Sequence, residues 1–288
     1  MKMFKIFTFK QLAVISFALC LIMISGAILN TFSPYIPVNA QASVTVPIIM
    51  YHQISEKSSK CGDYTITVNL LREDFQYMKE NDIHPVSFKE LSEYVKAGKP
   101  LPENPIVITF DDGERSFITK VLPLLEEYSY PANVNIVGSL VDLYTKNGDT
   151  DDRYAYLNEE DVKTLSSNPL IEIGCHTYNL HSLGARRGMS KLNSETQEQY
   201  TTMVHNDINL FQEKFYEITG KRAVCFAYPY GLRNDTILDI LKSENFIVTL
   251  TCRESTNILS VGSDLYELGR FNRPYGKSSH IFFKSIFL

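Results

Sequence analysis

In "NPIVITFDDGERS", residues 104–116, two adjacent carboxylates follow at once on a run of apolar and β-prone side chains. Asp111 and Asp112, so placed, repel each other and are costly to desolvate unless a cation or hydrogen-bond donors hold them. An ordinary polar turn is the plain alternative, because Asp and Gly are common turn residues. A second cluster, "CHTYNLHSL" at 175–183, carries His176 and His181 five residues apart. On a helix that spacing leaves them roughly 140° apart, and on a strand it puts them on opposite faces. They converge only if the chain turns between them, with Asn179 as a candidate turn residue. Two imidazoles and one carboxylate with open positions make a catalytic metal site rather than a structural one. The plain alternative is a strand cap at His176 and a surface loop residue at His181.

The elements that would position these groups alternate along the chain. Strands are expected at 46–54, 106–110, 132–138, 171–177, 223–231, around "FIVTLTC" and near 268–274. Helices are expected at 69–82, from Ser87 to about Lys96, at 116–128 with Pro123 as a kink or late start, after Asn158, at 195–218 and at "NDTILDILKSEN". Ser87 three residues before Glu90 forms a capping box. The strands are continuous apolar runs, the pattern of a parallel sheet covered on both sides, and seven or eight βα units in about 240 residues suit a barrel. His52, Asp111, Asp112, His176, Tyr230 and Arg270 all fall where strands end, which is where α/β folds build sites.

The constellation resembles the polysaccharide deacetylases, the NodB-homology or carbohydrate esterase family 4 proteins, through "TFDDG" (109–113), "HTYNLH" (176–181) and "YPYG" (228–231). The resemblance covers the chain from about residue 105 onward and implies a distorted (β/α)7 barrel. It assigns Asp112, His176 and His181 to a divalent metal, zinc first, with cobalt, nickel or iron(II) as alternatives. It makes Asp111 the general base and the backbone N–H of Tyr230 an oxyanion donor, with Gly113 letting the backbone turn between the two Asp roles. The reaction implied is removal of N-acetyl groups from a polysaccharide.

Three departures from the usual motifs point to one branch. The histidine spacing is His-x4-His in place of His-x3-His, Ala227 stands where an Arg is usual, and the late motif with the acid His is missing. His280 in "SSHIFF" has no Asp after it. These features look like the branch with the biofilm poly-β-1,6-N-acetylglucosamine deacetylases, where a circular permutation puts the acid-bearing strand first. "IIMYHQI" (48–54) then supplies His52 as the acid, and Arg270 in "LGRFNRP" replaces the missing Arg. Tyr51, Tyr178, Tyr228 and Tyr230 are candidates to line a sugar site, and His84 and His205 read as structural or surface residues. An O-acetyl esterase and a non-catalytic glycan-binding barrel are the rival functions.

The 288 residues carry a formal charge of −5 and no basic stripe, which argues against nucleic acid as a partner. Lys2, Lys5 and Lys10 precede an apolar run at 12–29, so residues 1–30 read as a signal peptide or membrane anchor, 31–44 as a linker and 45–288 as the barrel. "VNA" at 38–40 offers a cleavage site. The expected location is outside the cytoplasm, secreted or anchored to the outer face of the cell membrane, as a monomer. Of five cysteines, none has zinc-knuckle spacing, and Cys175 and Cys225 lie in apolar strands as buried thiols.

Overall fold

The computed structural model describes residues 43–287. The proposed leader at 1–30 and most of the linker lie outside them. Eight strands form one parallel series: β1 (Ile48–Tyr51), β2 (Pro105–Phe110), β3 (Ala132–Ile136), β4 (Ile171–Cys175), β5 (Cys225–Ala227), β6 (Val248–Leu250), β7 (Leu265–Leu268) and β8 (Phe271–Asn272). Their spatial order is β7-β6-β5-β4-β3-β2-β1-β8, with His84–Pro85 added beside β2. No pairing among the described residues joins β7 to β8, so the sheet is a curled half-barrel with two ends. The first strand of the series sits inside it, paired in parallel with β2 on one side and with the last strand on the other.

Alternation along β2 shows how the sheet divides its faces. Ile106, Ile108 and Phe110 join the larger core, which packs the sheet against the helices. Val107, Thr109 and Asp111 point the other way: Val107 joins a second, smaller core, and the polar residues above it face the concave side. Asn133 pairs with Thr109 across β3, so Asn135 stands opposite Asp111.

Among the described residues seven helices lie between strands, α1 (Val68–Glu80), α2 (Phe88–Ala97), α3 (Leu122–Tyr128), α4 (Gly138–Asn147), α5 (Glu159–Ser167), α6 (Gln197–Thr219) and α7 (Asp235–Ser243), and α8 (Ser279–Ile286) follows the last strand. Their starts follow sequence signals. Ser87, Asn158 and Thr196 each close a capping box, and Gly98 ends α2 in the left-handed conformation. The helix expected at 116–128 is split. A π-turn at Phe117–Val121 runs into α3, whose first turn holds Pro123, so the proline marks a late start.

Two helices are additions to the sequence reading. The run taken as strand to residue 138 stops at Ile136, and α4 begins at Gly138 with no side-chain cap and only Gly138 and Val141 buried. The stretch around His280 is helix α8, held by Phe282, Phe283 and Ile286 in the core. Strands at 46–54 and 223–231 are also shorter than expected, broken at Pro47 and Pro229 where the ladder loses a donor.

Candidate active site

Every strand of the series runs in the same direction, so the residues just past each strand's end gather on one rim. Tyr51 pairs with Phe110, and the Asp111 N–H donates to the Tyr51 carbonyl at 2.9 Å. His52 and Asp111 are therefore the next residues of neighbouring strands. Asp111 stays in the ladder, but Asp112 leaves it with φ +71° and Gly113 follows at +75°. Two successive left-handed residues turn the Asp112 side chain away from its neighbour's direction. Glycine is required at 113, because a Cβ there would lie 2.9 Å from Ile136 Cγ2.

Asp111 is buried and held from two sides. Arg270 grips it with a fork, Nη1 to Oδ1 at 2.8 Å and Nη2 to Oδ2 at 2.7 Å. Asn135 Nδ2 donates to Oδ1 at 2.8 Å. Arg270 is itself 0% exposed, and its Nε donates to the Thr251 carbonyl at 2.9 Å. Burial alone would raise the Asp111 carboxyl, but the Arg270 guanidinium, with His176 next, pulls it well below the usual carboxylate range. Asp111 is thus ionised, and Oδ2, with one donor against two on Oδ1, keeps the freer lone pair.

Asp112, His176 and His181 place one ligand atom each within 4.8 Å of one another. His176 Nε2 and His181 Nε2 lie 3.5 and 3.2 Å from Asp112 Oδ1. The other nitrogen of His176, Nδ1, is 2.7 Å from the Ala227 carbonyl, which fixes the proton there and leaves Nε2 bare toward Asp112. Burial lowers His176 to about 4, so it is neutral, the form that ligates. His181 is raised: burial pulls it down, and the hydrogen bond to Asp112 more than offsets this. A carboxylate and two imidazole nitrogens, one with its tautomer set from behind, fit a divalent cation with borderline-soft preferences.

His52 Nδ1 is buried with no hydrogen-bond partner, and burial lowers its pKa while Asp111 and Asp112 pull it back up. The His181 ring stacks on Tyr230 with centroids 4.9 Å apart, and Tyr230 sits at φ +57° in the Pro229–Gly231 turn. By contrast His280 is exposed on α8, edge-on to Tyr77 at 6.0 Å. His84 and His205 are exposed, as expected. Two of the tyrosines expected to line a sugar site do not: Tyr51 and Tyr228 are buried packing residues. Tyr178 is half-buried and donates to Asp142 Oδ2 at 2.8 Å.

Sequence reasoning missed three residues here. Asn135 was visible only as a polar side chain two positions after Asn133 in an apolar strand, a period-2 signal for one buried polar face. Tyr64, 62% exposed, packs edge-on against His52 with centroids 4.9 Å apart. Asp207 on α6 accepts from two backbone amides of the loop between the histidines. Neither Tyr64 nor Asp207 stands near the motifs in sequence.

A family model described as polysaccharide deacetylase matches residues 98–248, more than half of the chain. The chain belongs to the polysaccharide deacetylase family. Among curated relatives of this chain is the poly-beta-1,6-N-acetyl-D-glucosamine N-deacetylase of Escherichia coli K12, 27% identical over 259 residues, 80% of this chain and 38% of the relative. The protein of the same description from Staphylococcus aureus N315 is 26% identical over 186 residues, 64% of this chain and 60% of that one. The chain therefore spans between about two fifths and three fifths of these relatives. Solved structures share the fold: a de-N-acetylase from Aggregatibacter actinomycetemcomitans (TM-score 0.70, 23% identity, 80% of this chain and 95% of that one) and IcaB from Ammonifex degensii (0.67, 21%, 81% and 94%).

Proposed function

We propose that this family member is a metal-dependent hydrolase that removes N-acetyl groups from N-acetylglucosamine units of a cell-surface polysaccharide, poly-N-acetylglucosamine or peptidoglycan. The observation that carries the reading is the convergence of the Asp112, His176 and His181 ligand atoms beside a buried, Arg270-held Asp111. The printed descriptions of the relatives name the same chemistry on poly-N-acetylglucosamine.

Asp112 and the two Nε2 atoms would hold a divalent cation, zinc first and cobalt, nickel or iron(II) as alternatives. When bound, it supplies Lewis acidity to the acetyl carbonyl and to the attacking water. Asp111 Oδ2 accepts the water's proton as general base, and Arg270 and Asn135 keep that carboxylate aimed. The Tyr230 backbone N–H donates to the developing oxyanion. His52 gives a proton to the departing nitrogen as the carbon–nitrogen bond breaks, leaving acetate and a free amine. An ester oxygen leaves with less help than an amide nitrogen, so a dedicated acid favours amide over O-acetyl substrates. The exposed Tyr64 ring, edge-on to His52, offers an aromatic face to a sugar chain.

The test is acetate release from N-acetylated and O-acetylated glycans with defined metals. We expect release from the N-acetylated polymer, a loss of at least about 100-fold in kcat for His52→Ala with its metal retained, and little change for His280→Ala. Deacetylation that survives His52→Ala but collapses in His280→Ala overturns the placement of the acid. Release from O-acetyl glycans alone overturns the amide reading.

A further inference from the structure

The loop between the two imidazoles, residues 177–181, must reverse direction in five residues to return His181 to the rim. It does so at a cost, since Thr177 sits at φ +71°. Three sets of bonds hold it there. The Thr177 hydroxyl accepts from the Leu180 N–H at 3.1 Å. The carbonyls of Thr177 and Tyr178 accept from the Gly138 and Ser139 N–H groups at the start of α4, at 3.0 and 2.7 Å. Two further amides go to one side chain: the Tyr178 N–H donates to Asp207 Oδ1 and the Asn179 N–H to Asp207 Oδ2, both at 2.8 Å.

We propose that Asp207 is a positioning residue for metal binding, clamping the 177–181 loop so that His181 Nε2 meets Asp112 and His176. The clamp comes from α6, an element that contributes no ligand, and uses both carboxylate oxygens on consecutive amides. Charge-assisted bonds of this kind are roughly twice as strong as neutral ones. The site keeps an ionisable carboxylate in a mostly buried place, where burial lifts it to about 6 although both amides pull it down. A neutral side chain could fill the same space without that desolvation, but it could not accept from both amides. Asn in particular would turn its NH2 group toward one of the N–H donors. The one-residue-longer spacing between the histidines is accommodated by this anchored turn.

The proposal rests on the reading of Asp112, His176 and His181 as a metal site. The experiment titrates zinc, and cobalt for its absorption spectrum, into the chelator-treated full chain and into Asp207→Ala and Asp207→Asn. We expect the zinc Kd to rise about 10- to 100-fold in Asp207→Ala, as for other groups that orient a ligand from behind. Asp207→Asn should fall between it and the parent, with an altered cobalt spectrum. The metal-free melting temperatures should lie close together. If Asp207→Ala fails to fold, the near-isosteric Asn variant carries the comparison. A parent that binds while both variants bind equally well overturns the clamp alone, even if their metal-free forms melt earlier. A parent that binds no ion overturns the metal reading and the clamp with it.

Discussion

Arg270 and Asp111 form an almost wholly buried ion pair: they are 0% and 2% exposed at the side chain. Such a pair is worth little against a well-packed apolar pair, but removing one partner strands a buried charge and typically costs about 3–5 kcal/mol. Arg270→Ala should therefore lower the denaturant midpoint sharply. Arg270→Met combined with Asp111→Asn should recover much of that stability and none of the activity. The informative single change is Arg270→Lys. It keeps the charge but gives up the fork that fixes both carboxylate oxygens, so kcat should fall by at least about tenfold while metal stoichiometry stays at the parent value. A lysine variant with full kcat would show that the base needs charge and not orientation. Arg270 was legible because its motif lies at a strand end. Asn135, which shares the work on the same carboxylate, was not: one polar side chain inside a strand says nothing about its partner until the register with β2 is known.

At the scale of elements, the strand runs and most helices were legible because apolar continuity and caps are local signals. The expected strands at 106–110 and 171–177 and the helix after Ser87 sit close to their observed bounds. Of the helices that escaped notice, α4 has no side-chain cap and buries only Gly138 and Val141, and α8 is held by Phe282, Phe283 and Ile286 in the core. What sequence could not give is which strand faces which. Gly174 is an instance. It is the register partner of Asn135 across β3 and β4, and a Cβ there would come within 2.1 Å of Asn135 Oδ1 and 3.1 Å of the Cys225 carbonyl. The amide is the movable party, so Gly174→Ala should push Asn135 off Asp111. Overpacking of this kind costs about 1–3 kcal/mol. We expect kcat to fall well below the parent at temperatures where the variant is still fully folded, with zinc content unchanged. A folded Gly174→Ala enzyme of parental kcat would remove Asn135 from the catalytic apparatus.

At the scale of the whole molecule, the residues from Ala42 to Leu288 cluster as one compact unit. That unit contains all the proposed site residues, and no helix among the described residues is long and apolar enough to cross a membrane. The remaining 41 residues differ in kind. Residues 1–40 hold three lysines and no other charge, so the rest of the chain has a net charge of −8, and the 18 residues at 12–29 are nearly all apolar. Eighteen apolar residues fall within the range that spans a hydrocarbon layer, and lysines ahead of such a run stay on the cytoplasmic side. A polymer substrate at the cell surface cannot meet an enzyme left inside. The proposed leader and the proposed surface substrate call for the same topology, with residues 41–288 outside. Fractionation of cells making the full chain with a C-terminal epitope should place it in the membrane or the medium. Protease added to intact cells should reach the membrane-held form, and N-terminal sequencing of the released form should begin near residue 41. A full-length chain with an intact N-terminus, found soluble in the cytoplasm, would overturn both the location and the idea that it works on a surface glycan.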